Sequence, residues 1–415
     1  MAAEATEAQT IEWISVGCCI AGGGPAGIML GYLLARAGID VLVLEKHADF
    51  LRDFRGDTIH PSTLEIMHEL GLLDAFLKLP HSKVETIGAE IGKTTIPFAD
   101  LSHLPTHCRF VAFIPQWDFL QFIAAEGARL PSFALRMEAE AGDLIEADGR
   151  IVGLRAKTPQ GVLVVRADLV VGADGRHSTV RTKAGLEVRD LSVPMDVLWL
   201  RLPKHGDDPP QSLGHVDRGR IFVMLDRGDY WQCAFVIAKG QSDVIHGAGL
   251  EAFRRSIGEI VPYTRERLGA LASWDDVKLL TVTVDRLPRW YRPGLLCIGD
   301  AAHAMSPIGG VGINLAIQDA VAAANLLAGP LKRGRVEEDD LRYVQRRREL
   351  PTRLTQAMQL IIQNRIISRV LAGSAPITAP PLGLRLFAWF PLLRRIPARV
   401  IGMGFRPEHV RIGPG

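Results

Sequence analysis

Residues 14–45 leave little freedom in how this chain begins to fold. Residues 14–21 are apolar almost throughout, as a strand covered on both faces must be. Gly22-Gly23-Gly24-Pro25-Ala26-Gly27 follows at once and matches G-x-G-x-x-G. In such a turn Gly22 allows the tight bend, Gly24 lets backbone approach a pyrophosphate, and Gly27 lets the following helix pack on the strand. A helix over 26–37 ends at Gly38, a natural left-handed stop. A second strand, 39–44, delivers Glu45 and then Lys46, with the acid 23 residues after Gly22. That is where the ribose hydroxyls of an adenosine would meet it. Strand, loop, helix, strand and acid in register predict a parallel α/β sheet that binds a dinucleotide.

A second unit of the same kind lies at 294–325. Residues 295–298 read as a buried strand ending at Gly299-Asp300. Pro307 and the glycines 309, 310 and 312 then form a loop where backbone can come close to a ligand. The helix predicted from Ile313 to Leu327 is stopped by Gly329-Pro330. Its N-terminal N–H groups and the positive end of its dipole suit a ligand that is, or becomes, negative. A third unit is a strand over 167–173 followed by Asp174-Gly175-Arg176-His177-Ser178-Thr179-Val180-Arg181. Here the acid at the strand end can accept from a ligand hydroxyl.

Together these motifs resemble the aromatic-hydroxylase class of FAD-dependent monooxygenases, the group A flavoproteins similar to p-hydroxybenzoate hydroxylase. The resemblance spans nearly the whole chain. It implies that Asp300 holds the ribityl chain and that the Asp174 motif serves both FAD and the nicotinamide cofactor, with Lys46 beside Glu45 among the cofactor-binding residues. Pro307, Gly309, Gly310 and Gly312 would lie beside the isoalloxazine, with Asn314 bonding its pyrimidine edge. Gln116, after Ile114-Pro115, takes the place of a flavin- or ribityl-contacting Gln. Arg55 would lie near the pyrophosphate and meet the incoming nicotinamide cofactor; Arg181 could pair with a phosphate and meet that cofactor too, or hold its own loop.

The resemblance also implies a Rossmann-like FAD-binding domain built from 1–80, 111–188 and 287–338. A β-sheet substrate domain, 81–110 and 189–286, is inserted into it, and 339–415 form a helical C-terminal segment. Within the insert, 219–226 and 230–237 read as a hairpin around Arg227-Gly228, with Met224 opposite Trp231. One face should pack on a helix near 249–269 and the other should roof the flavin. Alternation does not say which is which; Phe222, Met224 and Trp231 are read as pocket lining, with a core-packed face as the alternative. Residues 339–372 read as one long, Arg-rich helix. The apolar run 384–393 is flanked by Arg385, Arg394, Arg395 and Arg399 and cut by prolines. A packed subdomain is its first reading, and contact with a membrane surface or a partner subunit, as in a homodimer, is its second.

Charge and cysteines narrow the function. A net charge of +2 carries no nucleic-acid footprint. The polar, acidic N-terminus lacks the regions of a signal peptide, and no run of about eighteen apolar residues predicts a spanning helix. Cysteines 18, 19, 108, 233 and 297 have no C-x-x-C spacing, which points to reduced thiols in a cytoplasmic protein and to no metal. His103 and His107 flank Pro105, so they make no helical metal pair.

The expected activity is hydroxylation of an electron-rich aromatic by one FAD, NADH or NADPH and molecular oxygen, through a flavin hydroperoxide. No second glycine fingerprint supplies the nicotinamide cofactor with its own domain, so it would dock transiently. No side chain is assigned as catalytic acid or base, although His215, Tyr230 and Tyr263 could activate a phenol. A dehydrogenase or reductase of the same fold, or a flavin-binding redox module without turnover, remains open at this point. The substrate's identity is not written in the sequence.

Overall fold

The computed structural model of the protein describes residues 10–51, 58–209, 213–377, 379–413 and 415. Thr10–Ala21 is the central strand of the main sheet and pairs in parallel with Val41–Leu44 on one side and Gly161–Gly172 on the other. Phe133–Arg136 extends the parallel array beyond Val41–Leu44, and Leu295–Cys297 extends it beyond Gly161–Gly172. Its strands are apolar because both faces are covered; Cys18, Cys19 and Ile20 are fully buried. The helix Pro25–Arg36 packs against Gly312–Lys332, so the two glycine-motif helices share one layer.

Among the described residues a second sheet has seven strands, in the order Lys278–Leu280, Met195–Pro203, Tyr230–Ala238, Arg220–Asp226, Leu213–Asp217, Thr86–Ile91 and Thr94–Asp100. The 86–100 hairpin joins it through a parallel pairing with Leu213–Asp217. Two chain segments far apart in sequence therefore complete one sheet.

The 220–238 hairpin forms, but its turn is one residue later than predicted. Arg227 pairs with Tyr230 around Gly228-Asp229, and Gly228 takes a φ of +89° that favours glycine. The slip moves every partner by two residues, so Met224 faces Cys233 and Phe222 faces Phe235. Because side chains alternate with period two, the faces themselves are unchanged.

Which face meets the flavin side is a correction to the expectation. Phe222, Met224 and Trp231 are at most 1% exposed and pack under Leu250–Ile260 with Phe253, Ile257 and Leu268. They are core, not pocket lining. The opposite face carries Val197, Val223, Ala234 and Val236, which cluster with Ile308 of the proline–glycine loop.

One helix runs past its predicted end, and the long C-terminal one keeps its predicted span with a π-helical stretch inside it. Gly312–Lys332 continues through Gly329-Pro330 and stops before Gly334, whose φ is +64°. A proline this near a helix end removes a single ladder bond, and Gly329 has no Cβ to crowd its ring. Glu338–Ile362 continues through a π-helical stretch, Gln363–Ile367, into Ser368–Ala372. Among the described residues, Ile308–Lys332 is long and apolar enough to cross a membrane, yet it is mostly buried as core.

Candidate functional site

The site is a row of strand ends. Ala21 pairs with Leu44 and with Gly172, and Gly172 pairs with Cys297. The residues that follow those strands, namely Gly22, Glu45, Asp174 and Asp300, therefore leave the sheet side by side at its carboxyl edge. In an open parallel sheet that edge is where ligands bind.

Each fingerprint glycine answers to a different constraint. Gly22 has φ +106°, and a Cβ there would lie 2.3 Å from the Ala173 carbonyl oxygen. A Cβ on Gly27 would lie 1.9 Å from the Gly22 carbonyl oxygen, so only glycine lets the helix close on the strand. Gly24 caps Pro25–Arg36, and a Cβ there would meet nothing within 4 Å. Its openness is the space a pyrophosphate needs. The Glu45 carboxylate accepts from the Gly23 N–H at 2.9 Å and the His47 N–H at 3.1 Å, which fixes the acid beside the loop. Lys46 is exposed at the rim, and Gln116 is half-buried at the start of Gln116–Gly127. Arg55 lies outside the described residues.

Asp174 accepts from the Ser178 hydroxyl and the Val180 N–H, so its carboxylate also caps the short helix Thr179–Lys183. Asp300 is partly exposed and lies 3.6 Å from Arg176. Arg181 takes the loop-holding part of its two expected ones. Its guanidinium is buried, donates to the carbonyls of Arg176 and Ala301, and lies 3.6 Å from Asp285. It clasps two motif loops together, and a side chain so enclosed does not meet an incoming cofactor.

The proline–glycine loop is strained where glycine permits it. Gly309 and Gly310 have φ of +77° and +62°, and a Cβ on Gly310 would lie 2.3 Å from the Thr58 hydroxyl oxygen. Pro307 opens the turn, and Gly312 is the first residue of the long helix. Asn314 corrects a second expectation. Its oxygen accepts from the His60 N–H at 2.9 Å and the Thr63 hydroxyl at 2.8 Å; its amide donates to the carbonyls of Thr58 and Gly310. Both ends of this side chain are spent on protein groups, so it staples the loop and does not read a pyrimidine.

Two supports went unread in the sequence. Gln356, Gln359 and Gln363 recur at helical spacing along one buried face. Gln359 donates to the carbonyls of Ser306 and Ile308 and accepts from the Ser306 N–H. Gln356 reaches the carbonyls of Asp285 and Ala304, and Gln363 reaches the Ser306 hydroxyl. Polar residues on the inner stripe of an amphipathic helix were the available signal.

The other support is a buried ion network beneath the Gly299-Asp300 turn. Asp319 accepts from His303 at 2.6 Å, Arg348 at 2.9 Å and the Gly299 N–H at 3.2 Å. Arg348 and Arg347 continue it to Glu408. Burial pushes the Asp319 carboxyl up, but His303 and Arg348 outweigh it and hold the group below the usual carboxylate range.

The candidate bases stand away from this row. His215 lies 3.2 Å from Glu90 and pairs with Phe222, on the core face. The Tyr263 hydroxyl contacts the Met224 sulfur, and burial pushes its pKa up to about 12. Tyr230 lies at the hairpin turn, 5.1 Å from the Arg201 guanidinium. All five cysteines are free and buried. Among the described residues no group of three or more His, Cys, Asp or Glu side chains could hold a metal ion.

An open phosphate loop, an acid beside it and two further acids along one sheet edge fit an extended dinucleotide such as FAD. Comparison with known proteins agrees. A family model described as "FAD binding domain" matches residues 15–358. The chain is 32% identical over 385 residues to 6-methylpretetramide 4-monooxygenase of Streptomyces rimosus, covering 91% of both chains. It is 29% identical over 314 residues to the 12-dehydrotetracycline 5-monooxygenase/anhydrotetracycline 6-monooxygenase of the same species, covering 73% of this chain and 60% of that one. In fold it is similar to PqsL of Pseudomonas aeruginosa solved with 2-aminobenzoylacetate, with a TM-score of 0.73 at 21% identity over 86% of this chain and 97% of that one. On the family match and the long alignment to a monooxygenase, the chain belongs to the FAD-binding-domain family of flavoprotein oxidoreductases and is an FAD-dependent monooxygenase.

Proposed function

We propose that this protein hydroxylates a fused-ring aromatic small molecule, using one bound FAD, NADH or NADPH, and molecular oxygen. The observation that carries the reading is the row of Gly22, Glu45, Asp174 and Asp300 at the ends of four neighbouring strands. When bound, FAD would supply hydride acceptance from the nicotinamide cofactor and oxygen transfer by way of a flavin hydroperoxide, one atom of O2 going to the product and the other leaving as water. The fused-ring substrate class is suggested by relatives whose names specify pretetramide and tetracycline substrates.

In this reading Gly24 and the first turn of Pro25–Arg36 receive the pyrophosphate, and Glu45 and Lys46 hold the adenosine end. Asp300 accepts from the ribityl chain, with Asp174 and Gln116 beside it. The backbone N–H of Gly312, at the start of Gly312–Lys332, would face the flavin ring, and the helix dipole there would favour its anionic reduced state. The glutamines 356, 359 and 363 keep that backbone in place. Asn314 and Arg181 are positioning residues that act through the loops they tie.

The substrate would lie under the sheet face of Val223, Leu225 and Gln232, because Val223 shares an apolar cluster with Ile308. The chain contributes a dry, apolar enclosure and orientation there, with no side chain needed as an obligate base. We assign 1–80, 111–188 and 287–338 to the FAD domain, 81–110 and 189–286 to the substrate domain, and 339–415 to a helical segment gripping the flavin loop. Five unpaired, buried cysteines suit a reducing cytoplasm.

Purified protein should carry one non-covalent FAD per chain. Anaerobic stopped-flow mixing with NADH or NADPH should show slow flavin reduction that a bound aromatic accelerates, since substrate binding would favour the reduction-competent arrangement. A colourless protein that takes up no added FAD would overturn the reading, and equal reduction rates with and without a verified substrate would remove the gating.

A further inference from the structure

The C-terminal segment differs from the rest of the chain in charge and in what it leaves uncovered. Residues 341–415 hold thirteen Arg and two Glu, with no Lys or Asp, a net charge of +11. The preceding 340 residues carry −9. One of the two acids, Glu408, is buried and bound by Arg347 and Arg348, so it does not offset the surface. From Leu350 to Pro407 the sequence contains no acid.

Within this basic segment, Leu382–Trp389 and Arg395–Met403 are helices joined by Pro391–Arg394. Leu382, Arg385, Leu386 and Trp389 recur at i, i+3, i+4 and i+7, which places them along one stripe. Leu382 is 65% exposed, Trp389 54%, Leu392 68% and Ile396 65%. The inner side of Arg395–Met403 is covered: Ala398, Gly402 and Met403 pack on Leu101 and Leu104. Arg385 lies 4.8 Å over the Trp389 ring, and Arg394 bonds the carbonyls of Phe387 and Ala388. Asp100 is the acid beside this surface, near His103 and Arg394.

We propose that residues 382–399 dock the protein on an anionic lipid surface, with Leu382, Trp389, Leu392 and Ile396 entering the headgroup boundary. Apolar and aromatic side chains set among arginines are the composition that partitions into such an interface. Basic side chains add attraction that decays within a Debye length. The proline breaks keep both helices too short to span, so the contact is peripheral. A second copy of the chain fits poorly, because a two-fold contact would press one arginine-bearing, acid-free patch against another with no acid to pair across it. The surface is also tied to the flavin loop. The Ile401 carbonyl, in the same helix as Arg399, accepts from His60 Nδ1 at 2.7 Å, and the His60 N–H bonds Asn314.

The test is co-sedimentation of full-length, FAD-loaded protein with phosphatidylcholine vesicles, with and without phosphatidylglycerol. Binding should need the anionic lipid and should weaken with added salt. Trp389→Ser combined with Leu392→Ser, and separately Arg385→Glu combined with Arg399→Glu, should each lower the vesicle-bound fraction about tenfold. These side chains are exposed, so flavin absorbance and the thermal midpoint should match wild type. Equal binding to uncharged vesicles, or no binding to either kind, overturns the proposal. So does a dimer in sedimentation velocity that the same variants abolish without any vesicle binding, which would assign the surface to a second copy.

Discussion

His60 gives the sharpest quantitative test of how the segments around the flavin loop hold together. Its ring is 1% exposed, its Nδ1–H donates to the Ile401 carbonyl and its backbone N–H donates to Asn314. Burial pushes the imidazole down to about 4 from an ordinary 6.5, although the Ile401 carbonyl opposes the shift. The folded protein thus keeps His60 neutral where the unfolded chain protonates it. Below pH 6.5 the unfolded state binds the extra proton, so stability falls as pH drops toward 4, and no further loss comes from this group below that. A shift of that size corresponds to roughly 3 kcal/mol in full, most of it lost by pH 4.5. Asparagine can donate to Ile401 without titrating. Urea unfolding of FAD-saturated wild type and His60→Asn, followed by flavin fluorescence at intervals from about pH 7 to pH 4.5, isolates the term as a difference. The wild type should lose more stability over that range by the stated amount. Parallel curves for the two proteins would refute the buried neutral histidine and the tether it represents.

Three further outcomes follow from particular contacts. Asp319→Asn should cost about 3–5 kcal/mol in denaturant unfolding, because it leaves buried Arg348 and His303 without their shared acid. Since the Asp319 carboxyl is held low, its contribution is complete above about pH 4 and is lost on further acidification, so the variant should lack that part of the acid slope. Gly310→Ala should cost about 2 kcal/mol in unfolding and weaken FAD retention, since it adds a Cβ at φ +62° against Thr58. Asp300→Ala should weaken FAD binding by about 1.5–3 kcal/mol, roughly a ten- to hundredfold rise in Kd by equilibrium titration, and an unchanged Kd would remove Asp300 from the site.

The motifs that could be read from sequence are those whose geometry is local. A strand, a turn that only glycine allows, and an acid at the next strand end are set by a few consecutive residues, which is why Gly22, Gly27 and Glu45 take the positions expected of them. The register of the 220–238 hairpin was missed by one turn residue, because Arg227-Gly228 and Gly228-Asp229 both carry turn chemistry. Phe222, Met224 and Trp231 went to the wrong side because alternation defines two faces without saying which neighbour covers each. Asn314, Arg181 and the glutamines 356, 359 and 363 take their roles from partners tens to hundreds of residues away. No local pattern states those partners, and only the packed chain does.

The central claim is oxygen transfer by a flavin held on this row of strand ends. The measurement that meets it most directly is mass spectrometry of product formed under isotopically labelled dioxygen, with NADH or NADPH and a panel of fused-ring aromatics. The account predicts a product carrying one labelled oxygen atom, formed only in the presence of FAD and the nicotinamide cofactor. A product made at the same rate without label, with the flavin cycling between its oxidised and reduced forms, would contradict it.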